Sequence, residues 1–229
     1  MHYRFSTVLY DLDGTLFDTA PDIFAACNCT LVHFGFPQVP ISVLQGCVTS
    51  GMRAMLKAAI PPEQQDEALI AGPMRDYFAA YYTEHLNCLT TPFAGIPKLV
   101  EALAKQGVKQ AVITNKYERM AKKLLDNFSF CQSFSLLLGC DSLTHSKPHP
   151  EPLLKAMDRL QAAPQSTLYI GDHLNDIKAA RAAGCMSCAA LWGYGEAECG
   201  AASSWGADYL CRSPEELAQL LGIAIPETV

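Results

Sequence analysis

The chain has 229 residues, of which 50% are hydrophobic and 17% are charged, and its formal net charge is -6 at pH 7. This apolar fraction excludes a disordered chain and suffices for one large domain or for a domain with an insertion. The negative charge excludes an overall basic surface for nucleic acids, and no apolar run approaches the ~18 residues that suggest a membrane span.

Residues 1–11 contain neither a long apolar run nor a small-residue cleavage site, as a secretory signal would. We therefore expect a cytoplasmic protein that binds neither membranes nor nucleic acids. The ten cysteines are expected to be reduced thiols, mostly packed as small apolar side chains. Cys185 and Cys188 form a single CxxC, and without a second pair this motif indicates a buried strand better than a zinc site.

Short apolar runs rich in β-forming residues alternate with amphipathic segments along most of the chain. We predict strands at residues 5–10, 108–113, 134–138, 167–170 and 186–191. Helices are predicted between them at residues 96–106, 116–127, 151–161 and 174–183. This alternation is typical of βαβ units, so it predicts an α/β fold with a Rossmann-like parallel sheet.

The stretch from residue 18 to residue 91 interrupts the alternation. It shows helical periodicity without a convincing strand. We interpret it as an inserted α-helical cap domain, which leaves residues 1–17 and 92–229 as the core domain. An insertion that follows the carboxyl end of a strand is well placed to cover a site at that edge of the sheet.

Asp11 and Asp13 directly follow the first predicted strand, and Gly14 permits a sharp turn after them. Residues two apart in a strand face the same side, so the two carboxylates are expected to project together from the carboxyl edge of the sheet. Two carboxylates this close repel each other unless a cation or a proton intervenes. A polar turn that begins a helix is the alternative interpretation of this motif alone.

A second acidic motif favours a site over that alternative. Asp172 follows the strand at 167–170, and Asp176 lies four residues on at the start of a helix. Because parallel strands end at one edge, this loop and the Asp11 loop are expected to meet there. Carboxylate oxygens suit Mg²⁺, so Asp11, Asp13, Asp172 and Asp176 are predicted to form a magnesium site.

Two further positions lie at the same predicted edge. Thr114 and Asn115 follow the strand at 108–113, where a hydroxyl and an amide can bind an anion, and Thr114 can also cap the next helix. Lys147 precedes a proline in a proline-rich turn that restricts its approach. We therefore expect Thr114, Asn115 and Lys147 to contact an anionic substrate.

Taken together, these motifs resemble the haloacid dehalogenase-like hydrolase superfamily in their order and spacing. The residues that carry the resemblance are Asp-Leu-Asp-Gly-Thr at 11–15, Thr114, Lys147 and Gly-Asp-His-Leu-Asn-Asp at 171–176. The resemblance spans essentially the whole chain, including the helical cap. The segments DLDGTLFDTAPD at 11–22 and ALWGYG at 190–195 are similar to the phosphoglycolate phosphatase-like branch.

The resemblance implies a Mg²⁺-dependent phosphatase acting on a small phosphate monoester through a phospho-aspartate. It implies that Asp11 is the nucleophile and that Asp13 protonates the leaving alkoxide and then deprotonates water. It also implies that Asp11, the Asp13 carbonyl and Asp172 bind Mg²⁺ with support from Asp176, while Thr114 and Lys147 hold the phosphoryl group. An acid at position 13 favours an alkoxide leaving group over a halide.

Several alternatives remain open at this point. The segments Ser50–Leu56 and Ser204–Asp208 resemble the N-acetylmuramic acid 6-phosphate phosphatases, and sugar phosphomutases share the two aspartates. A non-catalytic binding protein of the same fold is a further alternative. In the cap, Arg53 follows a glycine-containing turn, so its guanidinium is predicted to bind a substrate carboxylate or phosphate, although an exposed arginine at a helix start is an equal alternative.

Overall fold

A computed structural model describes residues 5–223 of the chain. These residues form two compact units: one comprises the chain up to Asp18 and from Pro92 onward, and the other comprises Thr19–Thr91. The main sheet belongs to the first unit and contains six strands in the order β5-β4-β1-β6-β7-β8. These strands are β1 (Thr7–Tyr10), β4 (Lys109–Ile113), β5 (Leu136–Leu138), β6 (Thr167–Gly171), β7 (Met186–Ala190) and β8 (Tyr209–Cys211), while β2 (Phe17–Asp18) and β3 (Thr91–Pro92) are two-residue strands.

All neighbouring strands in the main sheet are parallel, which confirms the predicted α/β fold class. Connections between parallel strands must cross over the sheet, and helices provide most of them here. The helices of this unit are α6 (Ile96–Lys105), α7 (Glu118–Leu125), α8 (Glu151–Leu160), α9 (Leu174–Ala183), α10 (Gly195–Cys199) and α11 (Pro214–Leu220).

Side chains of the central strands alternate between two apolar cores, as the two-residue period of a strand requires. Val8 and Tyr10 lie in the core that contains residues of α6, α7 and α11, whereas Leu9 and Tyr169 lie in the core that contains residues of α8 and α9. Because both faces are covered, β1 is buried along its whole length.

The predicted strands and helices of this unit are found within two residues of their expected bounds. The edge strand β8 was not predicted, because its three residues follow a polar, glycine-containing stretch and are only partly buried. All ten cysteines are free, and Cys188 is buried in β7, as expected from the lone CxxC. None of the helices within residues 5–223 combines the length and apolar character that a membrane span requires.

The second unit is helical, with α1 (Ala20–His33), α2 (Ile41–Leu44), α3 (Met52–Ala59), α4 (Glu67–Leu69) and α5 (Arg75–Glu84). A five-residue π-helix, Ile70–Met74, joins α4 to α5. The buried carboxylate of Asp22 accepts hydrogen bonds from the backbone N–H groups of Leu89 and Thr90, at 2.9 Å each. These contacts tie the beginning of this unit to its end.

A buried polar contact joins the central strands to helix α6. The Tyr10 hydroxyl donates to Gln110 Oε1 at 2.9 Å, and Gln110 Nε2 donates to the Val100 carbonyl at 2.9 Å. Tyr10 and Gln110 are both fully buried. The buried Tyr10 hydroxyl therefore depends on Gln110 for an acceptor that water cannot replace.

We predict that Gln110→Leu destabilises the protein by about 1–3 kcal/mol, because it leaves the Tyr10 hydroxyl buried without its acceptor. The free energy of unfolding in urea measures this loss. Gln106→Leu is the matched control, since Gln106 is exposed at the end of α6. Equal stability of the two variants would contradict the structural role given to Gln110.

Candidate active site

Polar side chains collect where the three central strands end. Asp11 follows β1, Thr114 follows β4 and Asp172 follows β6, and β1 lies between the other two strands. All three residues are buried. The parallel sheet therefore brings residues more than 150 positions apart in sequence to one edge, as the strand pattern predicted.

Three carboxylates form a tight cluster at this edge. One oxygen each of Asp11, Asp172 and Asp176 lies within 4.8 Å of the other two. Asp172 Oδ1 accepts a hydrogen bond from the Thr15 hydroxyl at 3.1 Å, and its Oδ2 accepts one from the Tyr194 backbone N–H at 2.8 Å. These two contacts fix the plane of the Asp172 carboxylate.

Lys147 supplies a positive charge to the cluster. Its ammonium nitrogen lies 2.8 Å from Asp11 Oδ1 and 2.7 Å from Asp176 Oδ1, and it also donates to the Tyr169 hydroxyl at 2.8 Å. Only 2% of the Lys147 side chain is exposed. Asp176 Oδ2 accepts from the His173 backbone N–H at 3.0 Å, so both oxygens of Asp176 are engaged by protein donors.

The side chain of Asn115 positions the backbone of Lys147. Asn115 Nδ2 donates to the Lys147 carbonyl at 2.9 Å, while Asn115 Oδ1 accepts from the Lys147 N–H at 3.1 Å. This reciprocal pair holds the lysine loop against the end of β4. The side-chain amide of Asn115, which was predicted to bind substrate, thus uses both its nitrogen and its oxygen to hold the backbone of Lys147.

The electrostatics of the cluster follow from burial and from the imbalance of charge. Burial raises the pKa of Asp11 to about 7, Lys147 opposes this rise, and Asp176 adds to it. Burial, followed by the negative charges of Asp11 and Asp176, raises the pKa of Asp172 well above its usual range. Burial opposes the charged form of Lys147, but Asp11 and Asp176 outweigh burial and raise its pKa.

Two glycines make room for these carboxylates. Gly14 has a φ of +80°, and a Cβ at this position would lie 2.3 Å from Asp172 Oδ2. A Cβ at Gly171 would lie 2.3 Å from the Cγ of Asp176. Any larger residue at either position would therefore displace a carboxylate of the cluster.

The carboxylate of Asp13 is the exception among the four predicted acidic groups. It pairs with Lys116 Nζ at 2.8 Å and is not part of the group formed by Asp11, Asp172 and Asp176. The expected cluster of four side-chain carboxylates is therefore reduced to three. The physical reason is the bend at Asp13, where an isolated bridge pairs this residue with Phe17 and ends the strand-like alternation after Asp11.

The two helices that begin beside the site start in different ways. Thr114 does not cap α7: its hydroxyl accepts from the Lys116 N–H at 3.1 Å, and the helix begins later, at Glu118. His173 is the N-cap of α9, where its Nδ1 accepts from the Asn175 N–H at 3.0 Å. The hydroxyl of Thr114 is therefore placed at the sheet edge, and His173 begins the helix that carries Asp176.

Arg53 lies in the helical unit, in the first turn of α3 after Gly51, whose φ is +89°. Its side chain is 55% exposed, and its guanidinium forms an ion pair with Glu67. A substrate that binds Arg53 must therefore compete with Glu67 for the guanidinium.

Sequence reasoning missed two residues that contact the predicted site. Tyr169 lies inside β6, and its hydroxyl is 3.0 Å from Asp176 Oδ1 and 2.9 Å from the Ile113 carbonyl. Lys116, whose side chain is 5% exposed, pairs with Asp13. The available signals were a hydroxyl within an otherwise apolar strand and a lysine directly after Thr114 and Asn115.

Comparison with known proteins identifies the family of this chain. The family described as haloacid dehalogenase-like hydrolase matches residues 8–190. The chain is 37% identical over 222 residues to an N-acetylmuramic acid 6-phosphate phosphatase of Pseudomonas aeruginosa, covering 97% of both chains. It is 39% identical over 214 residues to a phosphoglycolate phosphatase of Xanthomonas campestris, covering 92% of this chain and 93% of the relative.

A solved structure shares the fold as well. The crystal structure of a predicted phosphoglycolate phosphatase from Haemophilus somnus superimposes with a TM-score of 0.85 at 27% identity, over 95% of this chain and 98% of that chain. The family match covers most of the chain, and the relatives match it almost end to end. The resemblance seen in the motifs is therefore confirmed, and this chain belongs to the haloacid dehalogenase-like hydrolase family.

Proposed function

We propose that this protein is a phosphomonoesterase that transfers the phosphoryl group of a small organic phosphate to Asp11 and then to water. The observation that carries the proposal is the buried cluster in which Asp11 lies 2.8 Å from the ammonium group of Lys147. A carboxylate nucleophile beside a fixed cation is suited to a dianionic phosphate, which would otherwise repel it. The phosphatase relatives support the same reaction class.

In the first half-reaction, a carboxylate oxygen of Asp11 attacks phosphorus and the bond from phosphorus to the ester oxygen breaks. Asp13 donates its proton to the leaving alkoxide, which departs as an alcohol. Lys147 and the Thr114 hydroxyl bind the phosphoryl oxygens and stabilise the charge that they carry in the transition state. The products of this step are an alcohol and an acyl phosphate on Asp11.

In the second half-reaction, Asp13 removes a proton from water, and the water oxygen attacks phosphorus. The bond between phosphorus and the Asp11 oxygen breaks, which releases inorganic phosphate and restores the Asp11 carboxylate. The proton that Asp13 acquires replaces the one that it gave to the alcohol. Asp13 thus alternates between acid and base, and its carboxylate must be held close to the ester oxygen.

The donor set fits a hard divalent cation. Three buried carboxylates against one lysine leave a negative charge that a cation would neutralise, and oxygen ligands suit Mg²⁺. Asp11, Asp172 and the backbone carbonyl of Asp13 would hold the ion, while Asp176 orients Lys147. Bound Mg²⁺ supplies electrostatic stabilisation of the phosphoryl oxygens.

The substrate class that we propose is a phosphate ester of a carboxylate-bearing alcohol, with 2-phosphoglycolate first. N-Acetylmuramic acid 6-phosphate is the second candidate, because the alignment with the phosphatase named for it covers 97% of each chain. Both compounds carry a carboxylate besides the phosphate. Arg53 is our candidate for binding that carboxylate, after exchange with Glu67.

Phosphate release from a panel of monoesters tests the proposed reaction. We expect phosphate release that requires Mg²⁺, stops when EDTA is added and is abolished in Asp11→Asn. Release should be faster from 2-phosphoglycolate than from N-acetylmuramic acid 6-phosphate, glucose phosphates or nucleotides. Preference for N-acetylmuramic acid 6-phosphate would select the second candidate. Absence of release from every compound, while Mg²⁺ binds, would contradict the phosphatase assignment and favour a phosphomutase or a binding protein.

Asp11→Asn is also expected to stabilise the metal-free protein at pH 8, because it removes one of three clustered buried carboxylates, of which Lys147 contacts only two. A gain of about 1–2 kcal/mol corresponds to a rise of roughly 2–8 °C in Tm. Burial raises the pKa of Asp11 from its ordinary value of 3.8 to about 7 in the folded protein. Between pH 3.8 and pH 7 the folded state therefore binds a proton that the unfolded state does not, and this favours folding. Ionisation of Asp11 therefore costs stability as the pH rises.

The stability difference between Asp11→Asn and the wild type should thus grow from pH 5 to pH 8. Thermal unfolding with and without Mg²⁺ measures it, and Mg²⁺ should raise the Tm of the wild type more than that of the variant. Asp126→Asn is the matched control at an exposed ion pair. A metal-free variant that is no more stable than the wild type at pH 8 would contradict the charge imbalance.

Lys116→Met is expected to lower kcat by about 10- to 100-fold with a smaller change in KM, because general acid–base catalysis depends on a well-placed Asp13 carboxylate. Steady-state kinetics on the preferred substrate measures this split. Lys122→Met is the control, since Lys122 is 67% exposed and pairs only across one turn with Asp126. An equal loss of kcat in both variants would show that Lys116 does not position Asp13.

A further inference from the structure

A second cluster of metal-ligating side chains lies on the loop that carries Lys147. His145 and His149 precede α8, and Glu151 is its first residue. One nitrogen of each histidine and one oxygen of Glu151 lie within 4.8 Å of one another. These three donors are separate from the carboxylates of the proposed phosphatase site.

Local hydrogen bonds hold the three side chains together. Glu151 Oε2 accepts from the His145 backbone N–H at 2.8 Å and lies 3.0 Å from His145 Nδ1. The backbone N–H of Glu151 donates to His149 Nδ1 at 3.2 Å. The loop backbone therefore brings the two imidazoles to the same carboxylate before any ligand binds.

The two imidazole rings are stacked, with centroids 4.2 Å apart and planes at 24°. Both histidines are exposed, so rotation of their side chains can turn a nitrogen of each ring toward a shared ion at little cost in packing. An open groove of ≈ 580 Å³ beside them gives space for the ion and its water ligands; it is lined by Thr144, His145, Ser146, Pro148, His149 and Pro150.

The chemistry of the donors selects a class of metal. Imidazole nitrogens and one carboxylate suit borderline divalent ions such as Zn²⁺, whereas the oxygen-only cluster around Asp11 suits Mg²⁺.

We propose that His145, His149 and Glu151 form a binding site for a divalent transition ion of the Zn²⁺ class, completed by water. The site joins positions on both sides of Lys147 to the first turn of α8. An ion bound there restrains the loop that presents Lys147 to Asp11 and Asp176. The proposal is independent of the phosphatase assignment, because it rests on different side chains.

Nuclear magnetic resonance of protein labelled with ¹⁵N-histidine tests the site directly, because the chain has 6 histidines. With Mg²⁺ in excess, one equivalent of Zn²⁺ should shift the ring nitrogen signals of His145 and His149 and leave the other signals in place. The variants His145→Ala and His149→Ala assign the two signals. Zn²⁺ that leaves both signals unchanged, including Zn²⁺ captured by cysteine thiols, would overturn the proposal.

Glu151→Gln tests the third ligand. We expect it to weaken the Zn²⁺ affinity by about tenfold or more in a titration that follows the same histidine signals. Glu101→Gln is the matched control, since Glu101 is exposed in α6. If Glu151→Gln binds Zn²⁺ as tightly as the wild type, the carboxylate is not a ligand and the three-ligand assignment is overturned.

Discussion

The burial of three carboxylates with a single ammonium group among them is the constraint on which the rest of the site depends. Asp11, Asp172 and Asp176 lie within 4.8 Å of one another, and Lys147 contacts two of them. Burying charges is costly unless they are paired and hydrogen-bonded. The cluster meets this cost through Lys147 and through fixed donors, and the charge that remains is the physical basis for the cation that we propose at this site.

The parallel sheet makes this arrangement possible with few residues. β1 is flanked by β4 and β6, so the loops after three adjacent strands meet at one edge. Lys147 comes from the loop before α8, and two contacts hold it at that edge. Asn115 binds its backbone, and Tyr169 binds its ammonium group. The precision of the site therefore rests on regular strands and on side-chain contacts between their ends, with glycines where a Cβ would collide.

Most of the fold could be predicted from local sequence patterns, because buried strands and amphipathic helices have distinct periods. Asp11 and Asp172 could be predicted because each follows a predicted strand, Asp176 because it lies one helical turn after Asp172, and Lys147 because it stands in a proline-rich turn. The contacts of Tyr169 and Lys116 could not, since they depend on how distant segments meet: the Asp13–Lys116 pair spans 103 positions. The direction of the Asp13 carboxylate likewise depends on the bend that follows β1, which the strand period does not describe.

The loop around Lys147 shows how one short segment can present two different chemistries. Lys147 is buried among carboxylates, while His145 and His149, two positions away on either side, are exposed and face Glu151. The segment forms a turn, in which the His149 backbone N–H donates to the Ser146 carbonyl at 3.0 Å. Lys147 is buried and both histidines stay exposed, so the ammonium and the imidazoles do not compete for the same partners. The oxygen-rich interior favours a hard cation and the imidazole-containing exterior a softer one, so donor chemistry alone can direct two metals to the two sides of the loop that carries Lys147.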